Sequence, residues 1–319
     1  MKVSLRDKFA GTLLGLAIGD ALGQPYEGVS SEEMKKIPEE ELKIFHAGWL
    51  GEGKYTDDTL MAICLAEAII SAKRVDPEVI AELYGEWFLS GDLRGIGMTV
   101  SKALSKYVKT RDWRTCGVSG KWAAGNGAAM RVAPIALFDF NMPIEVLYRD
   151  VEKDAVITHR NEEAINGAFA VALAIRWCLH ANEESRRRDI FDFVLKGLSA
   201  MNIENLVVEK IEFASKLLSN ETDPLEALDI LGTSGYVVET VSSALFCFAR
   251  ASTYIDSVVM AIKGGGDTDT IAAITGAISG AYYGANGIPK ELRERVEKSS
   301  YLEELAVKIY ELAVSRRSA

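Results

Sequence analysis

Two short acidic segments carry most of the potential chemistry in this sequence: Thr56-Asp57-Asp58-Thr59, and Gly264-Gly265-Gly266-Asp267-Thr268-Asp269-Thr270. Each stands directly before an apolar run with helical spacing. Thr or Asp at a helix start is ordinarily a cap, and further Asp in the first turn suits the helix dipole. Capping would account for either segment alone. The second goes beyond it, because Asp267, Asp269 and Thr270 set two carboxylates and a hydroxyl around one turn, and the glycines let the backbone approach closely. An EF-hand is excluded, since Ile271 and Ala272 stand where that loop needs a third ligand and its turn glycine. If the two helix starts converge, Asp57, Asp58, Asp267 and Asp269 share one pocket. Two like charges about 4 Å apart repel by about 4 kcal/mol at an effective dielectric of about 20. Such a cluster must take up protons or bind cations. Its ligands are oxygens with no His or Cys beside them, so hard cations fit: Mg²⁺, Mn²⁺ or Ca²⁺. The acids suffice for a two-metal site that orients substrate oxygens and activates water.

Four further features qualify as candidates. Gly125-Asn126-Gly127-Ala128-Ala129-Met130-Arg131 leads into an apolar helix, and its small residues could leave backbone N–H groups facing an anion. It has no Gly-Lys-Ser/Thr, so it is not a Walker loop, and a plain tight turn is the alternative. Glu27 follows Gly19-Asp20-Ala21-Leu22-Gly23 in a Gly/Pro-flanked loop, where an acid can be mobile and catalytic or merely solvated. His159 opens a helix over 161–182 as a capping or hydrogen-bonding residue. Tyr236, in Ser234-Gly235-Tyr236, could stack on a base or fill the core.

The elements that must position these residues read as helices. Apolar spacing of i, i+3, i+4 predicts helices at 60–72, 164–179, 203–218, 236–248, 255–262, 270–285 and 302–314, with prolines such as Pro77 and Pro224 at helix starts. Alternating β-branched runs are nearly absent, and no linker or repeat divides the chain. The expectation is one all-α domain over 1–319. Apolar residues make up 48% and charged ones 26%, a globular balance that excludes a disordered chain or a disulfide miniprotein. With 36 basic against 46 acidic side chains and a net charge of −10, a nucleic-acid partner is not expected. Cys64, Cys116, Cys178 and Cys247 are scattered without a CxxC, as in a reducing cytoplasm. The uncharged stretches 9–19 and 270–289 imitate membrane segments, but their Gly, Ala, Ser and Thr content reads as closely packed buried helices. No membrane association is expected.

GDALG at 19–23, TDDT at 56–59, GNGAAMR at 125–131, TH at 158–159, SGYVV at 234–238 and GGDTDT at 265–270 occur here in one order over nearly the whole chain. In this the sequence resembles the ADP-ribosylglycohydrolases, especially the branch like the dinitrogenase reductase-activating glycohydrolase. The resemblance implies an all-α fold with a binuclear Mg²⁺ or Mn²⁺ centre at converging helix N-termini, held by Thr56, Asp57, Asp58, Asp267, Asp269 and Thr270. It implies that ADP-ribose lies across that centre with its diphosphate on the 125–130 loop (Asn126, Gly127, Met130). His159 would sit near the adenosine end, Tyr236 would stack on adenine, and Glu27 would contact the reacting ribose or its water. The implied reaction is hydrolysis at ribose C1, with Asp58, Asp267 or Glu27 taking the proton from water and ADP-ribose released from a protein side chain or a small conjugate. Arginine-directed relatives carry Asp-Ile-Gly after the third helix. This chain has Gly95-Ile96-Gly97 with Asp92 three residues earlier, so Asp92 either substitutes or the acceptor is not arginine. The competing expectations are a catalytically silent ADP-ribose-binding or crystallin-like protein, and a metal-dependent phosphohydrolase acting on the diphosphate. The oligomeric state is not legible.

Overall fold

The computed structural model describes residues 3–182 and 184–316. They form α1 (Leu5–Gly23), α2 (Ser31–Met34), α3 (Asp57–Ala72), α4 (Pro77–Ser90), α5 (Met98–Thr110), α6 (Trp113–Cys116), α7 (Ala133–Phe138), α8 (Ile144–Thr158), α9 (Glu162–His180), α10 (Asp189–Ala200), α11 (Leu206–Ser219), α12 (Pro224–Leu231), α13 (Val237–Arg250), α14 (Tyr254–Lys263), α15 (Thr268–Tyr283), α16 (Lys290–Arg295) and α17 (Ser299–Ser315). The β-structure among the described residues is slight: Val118–Ser119 lies parallel to His159–Arg160. No described helix is long and apolar enough to cross a membrane.

The two membrane-like stretches become α1 and α15, and their small residues explain the architecture. Gly11, Gly15, Gly19 and Gly23 recur every fourth residue, so they line one face of α1. Along α15 that face meets Gly280, Gly276, Ala272 and Thr268 in turn. A Cβ added at Gly11, Gly15, Gly19 or Gly23 would fall 2.3, 2.2, 2.1 and 2.4 Å from the carbonyl oxygens of those four residues. The two backbones therefore touch with no side chain between them, and the helices run antiparallel at the centre of the protein. Tyr254 fastens the contact, its hydroxyl donating to the Gly15 carbonyl at 2.8 Å. Around this pair the core closes with Phe9, Leu14, Ile18, Ile271, Ile274 and Ile278, all buried.

One consequence matters for the site. Close packing of α1 on α15 brings the C-terminal part of α1, with Asp20, beside the N-terminus of α15, with Asp267 and Asp269. The N-terminus of α3 is tied to the same place. Asp20 is fully buried and accepts the Thr56 N–H at 2.9 Å, the Thr59 N–H at 3.1 Å and the Thr59 hydroxyl at 2.6 Å.

Candidate active site

Capping is the ordinary role at the starts of α3 and α15, and here the two N-cap residues do not perform it. Neither Thr56 nor Asp267 makes a side-chain capping bond to its own helix. The N–H groups of Thr56 and Thr59 at the start of α3 are instead held from α1 by Asp20. This frees the side chains of Asp57 and Asp58 to face a cavity of about 540 Å³, which Asp267, Asp269 and Thr270 also line. The two helix N-termini thus converge. Asp58 Oδ2 accepts the Thr56 hydroxyl at 3.3 Å and makes a long contact with the Thr270 hydroxyl at 3.5 Å, so α3 and α15 meet through this carboxylate. Its other oxygen, Oδ1, is buried without a hydrogen-bond partner.

The electrostatics of this arrangement are unfavourable as they stand. Asp57, Asp58 and Asp269 are buried, and no Lys or Arg is among the described residues that line the cavity. Burial first, and then the charges of neighbouring acids, push the Asp57 carboxyl up to about 8 and hold Asp58 and Asp269 well above the usual carboxylate range. Burial also raises Asp20 to about 6, against the lowering effect of its hydrogen bonds. A buried anion without a counter-charge must bind a proton or a cation. The donor set is carboxylate and hydroxyl oxygen, which suits hard divalent cations. The acids line the cavity without closing on one point. Among the described residues no three His, Cys, Asp or Glu side chains form a ready-made metal cluster.

Three loops complete the wall. The Gly264–Gly266 joint is strapped to the Glu27 loop, with the Gly28 N–H donating to the Gly266 carbonyl and the Gly266 N–H to the Val29 carbonyl, both at 2.8 Å. Gly265 and Gly266 sit at φ +68° and +73°, a conformation that L side chains rarely adopt. Glu27 stands at the rim with much of its side chain in solvent, yet the partial enclosure of its carboxyl and the charge of Asp267 raise its pKa. The second loop runs through Asn126. Its side-chain amide donates to Asp267 Oδ2 at 2.5 Å and to the Thr240 hydroxyl at 3.0 Å, while its backbone N–H meets the Gly235 carbonyl at 3.1 Å. Asn126 therefore positions a carboxylate of the cluster. The third loop brings Gly95 against α3. A Cβ there would fall 2.6 Å from Asp57 Oδ1, and the backbone is left-handed at φ +80°.

The structure draws most of the sequence candidates together. Glu27, Asp57, Asp58, Asn126, Gly127, Met130, His159, Asp267, Asp269 and Thr270 all line the cavity, and Thr56 lies directly behind them. His159 is buried, with Nδ1 2.8 Å from the Thr158 hydroxyl, and Gly127 packs on its ring so closely that a Cβ would fall 2.6 Å from Cε1. Burial, and then the charge of Arg131, lower its pKa to about 3, so the imidazole is neutral. Two candidates stand apart. Asp92 is exposed and forks onto Arg94 at 3.0 and 2.9 Å, outside the cavity wall. Tyr236 is half-buried beyond the wall, its hydroxyl donating to Glu163 at 2.8 Å. The 125–131 segment also differs from expectation. It enters a short 3-10 turn at Asn126–Ala128, and the α-helix begins only at Ala133, so no helix N-terminus points from it at an anion.

Sequence reasoning did not single out Asp20, Thr240 or Arg131. Arg131 is fully buried, paired with Asp154 at 3.0 Å, and bonded to the Gly127 carbonyl at 3.0 Å and the Thr158 hydroxyl at 2.9 Å. It fixes the Asn126 loop to the turn that carries His159. An Arg one turn after a glycine-rich loop was a signal, but its partners lie on another helix.

A sequence profile of the ADP-ribosylglycohydrolases matches residues 1–319. The chain belongs to the ADP-ribosylglycohydrolase family. Membership makes it an enzyme of that class, and the resemblance of the six motifs was to the right family. An uncharacterized protein of Archaeoglobus fulgidus is 37% identical over 97% of each chain. The ADP-ribosylarginine hydrolase Tri1 of Serratia proteamaculans is 28% identical, over 96% of this chain and 80% of that one. The human ADP-ribosylhydrolase ARH3 is 27% identical, over 91% and 89%. Among solved structures, an ADP-ribosylglycohydrolase-related protein complex superposes with a TM-score of 0.79 at 28% identity, covering 97% of this chain and 99% of the other.

Proposed function

We propose that this ADP-ribosylglycohydrolase is metal-dependent and hydrolyses the bond between ribose C1 and an acceptor, releasing free ADP-ribose. The observation that supports it most is the group of buried carboxylates at two converging helix N-termini, inside a ligand-sized cavity with no Lys or Arg among the described residues that line it. Two Mg²⁺ or Mn²⁺ ions would be held by Thr56, Asp57, Asp58, Asp267, Asp269 and Thr270. When bound they would supply charge stabilisation for the ribose hydroxyls and for water as the leaving group departs.

The chain's own residues have the following parts. Asp20 holds Thr56 and Thr59, and so fixes the backbone under Asp57 and Asp58. Asn126 orients Asp267 by donating to its Oδ2. Neutral His159 packs against the glycines of the 125–127 turn and lines the cavity, where its imidazole would serve the adenosine end as a hydrogen-bonding group. Glu27, whose raised pKa brings it nearer to neutrality than a free Glu, takes the proton from the attacking water at its carboxylate, or Asp58 or Asp267 does so in its place. Gly125–Met130 receives the diphosphate on its backbone.

The names of the relatives support an ADP-ribosylated side chain as substrate, with arginine first. Against arginine, the Gly95–Val100 edge of the cavity presents no carboxylate to a guanidinium, because Asp92 is taken by Arg94. Arginine- and serine-linked ADP-ribosyl peptides, incubated with Mg²⁺, Mn²⁺ or chelator and read by mass spectrometry, decide the linkage. Free ADP-ribose as product supports glycosidic hydrolysis. AMP as product would mean cleavage of the diphosphate, and binding without any product would mean a silent site.

A further inference from the structure

A second cavity, of about 570 Å³, lies at the far end of the central helices. Tyr282 in its wall is on the last turn of α15, about 20 Å along the helix from Asp269 at 1.5 Å per residue. It shares no residue with the acidic site. Among the described residues four guanidiniums line it, Arg186, Arg187 and Arg188 before α10 and Arg250 at the end of α13, against one carboxylate, Glu221. This basic concavity stands out in a chain of net charge −10.

Structural duties account for only part of the arginine set. Arg186 is paired with Asp189 at 3.0 Å, and Arg187 donates to the Tyr283 hydroxyl at 2.9 Å. Arg250 is in the last turn of α13, where a cation suits the helix dipole. Arg188 is at the N-terminus of α10, where the dipole disfavours a cation. Arg188 and Arg250 are both exposed, and the guanidinium of neither makes a hydrogen bond or ion pair among the described residues, although the Arg188 carbonyl accepts the Phe191 N–H at 3.3 Å. The Tyr282 ring is a fixed wall. It stacks on Trp177 with centroids 6.0 Å apart and planes 8° apart, and its hydroxyl donates to the Ser185 carbonyl at 3.2 Å.

We propose that this cavity binds a small phosphorylated anion of the nucleoside diphosphate class. Guanidinium forks match phosphate oxygens bidentately, and several of them converging suit more than one phosphate group. The volume is within the range of small-molecule sites, and the polar lining fits a charged ligand better than an apolar one. Tyr282 provides a rigid aromatic surface beside the arginines for a sugar or base.

The test is calorimetric titration of the full chain with inorganic pyrophosphate and, separately, with ADP, at low salt and in chelator. The parent protein is compared with Arg188→Ala/Arg250→Ala, with the single variant Arg250→Gln, and with Asp267→Asn. Pyrophosphate binding is expected in the parent and unchanged in Asp267→Asn, and ADP, which the acidic cavity also takes, is read only as the component lost in the arginine double variant. Pyrophosphate binding is expected to be weaker by about 10-fold or more in the double variant, and weaker at higher salt. ADP binding more tightly than pyrophosphate would support contact with Tyr282, and equal affinity would support recognition of the diphosphate alone. No binding by the parent, affinity equal to the parent's in the folded double and single arginine variants, or loss in Asp267→Asn would overturn the proposal.

Discussion

The α1–α15 contact makes a quantitative demand on Gly19. In an isolated helix, Gly→Ala is favourable by about 1 kcal/mol. Here the added Cβ would fall 2.1 Å from the Ala272 carbonyl oxygen and 2.6 Å from its carbonyl carbon, while ordinary contact begins near 3.4 Å. The obstacle is backbone on a neighbouring buried helix, so no side chain can turn aside. The helices must separate by roughly an ångström along a face where Gly15–Gly276 and Gly11–Gly280 are equally close. Overpacking of this kind costs about 1–3 kcal/mol and occasionally more. Because the backbones themselves collide, the upper end applies, and a net loss of about 2 kcal/mol remains after the helix-propensity gain. At about 2 °C per kcal/mol for a chain of this size, Gly19→Ala should melt roughly 4 °C below the parent by circular dichroism. Gly97→Ala is the control for stability, since a Cβ there meets nothing within 4 Å and φ is already −70°. Its melting temperature should stay close to that of the parent. A Gly19→Ala protein that melts at or above the parent temperature would mean that the α1 and α15 backbones do not collide and that helix propensity alone describes the site.

Further outcomes follow from the same geometry. Asn126→Ala removes the hydrogen bond that holds Asp267, and should lower activity by about 10–100-fold with little change in melting temperature, measured as kcat/KM for ADP-ribose release. Asp267→Asn should lose about 100-fold or more and bind Mn²⁺ more weakly by calorimetry, and full activity would remove Asp267 from the metal site. Asp20→Asn leaves one donor of the Thr56–Thr59 turn without its acceptor, and should cost about 1–3 kcal/mol in urea unfolding. In chelator, stability should fall as pH rises from about 4 to 8. Asp20 and Asp57 have folded pKa values of about 6 and 8, above the ordinary 3.8, so the folded state binds more protons on these acids across that window, and together they outweigh His159, whose folded value of about 3 acts the other way below 6.5. A metal-free melting temperature that rises from pH 5 to pH 8 would contradict the buried, uncompensated cluster.

Much of the fold was legible because helix periodicity is strong here and the small-residue stretches lacked charge. The predicted helix at 203–218 begins at Leu206, since Asn205 caps it by accepting the Val207 N–H at 3.1 Å. The acids of the site were legible as a pattern, but their freedom from capping was not. That depends on Asp20, which reaches the start of α3 from another helix. A turn such as Gly125–Met130 looks the same in sequence whether a helix starts at once or after a 3-10 turn. Asp92 was placed by spacing to the family's Asp-Ile-Gly, and Arg94 two residues later supplies the local partner that draws it out of the cavity. Tyr236 was placed by its motif, and Glu163 on α9 decides where its hydroxyl goes.

Metal-dependent release of ADP-ribose is tested by product analysis on arginine- and serine-ADP-ribosylated peptides with Mg²⁺, with Mn²⁺ and with chelator. Free ADP-ribose that appears from at least one linkage with metal, and disappears with chelator, is the expected result. Equal release in chelator would contradict the metal centre, and AMP in place of ADP-ribose would contradict cleavage at ribose C1.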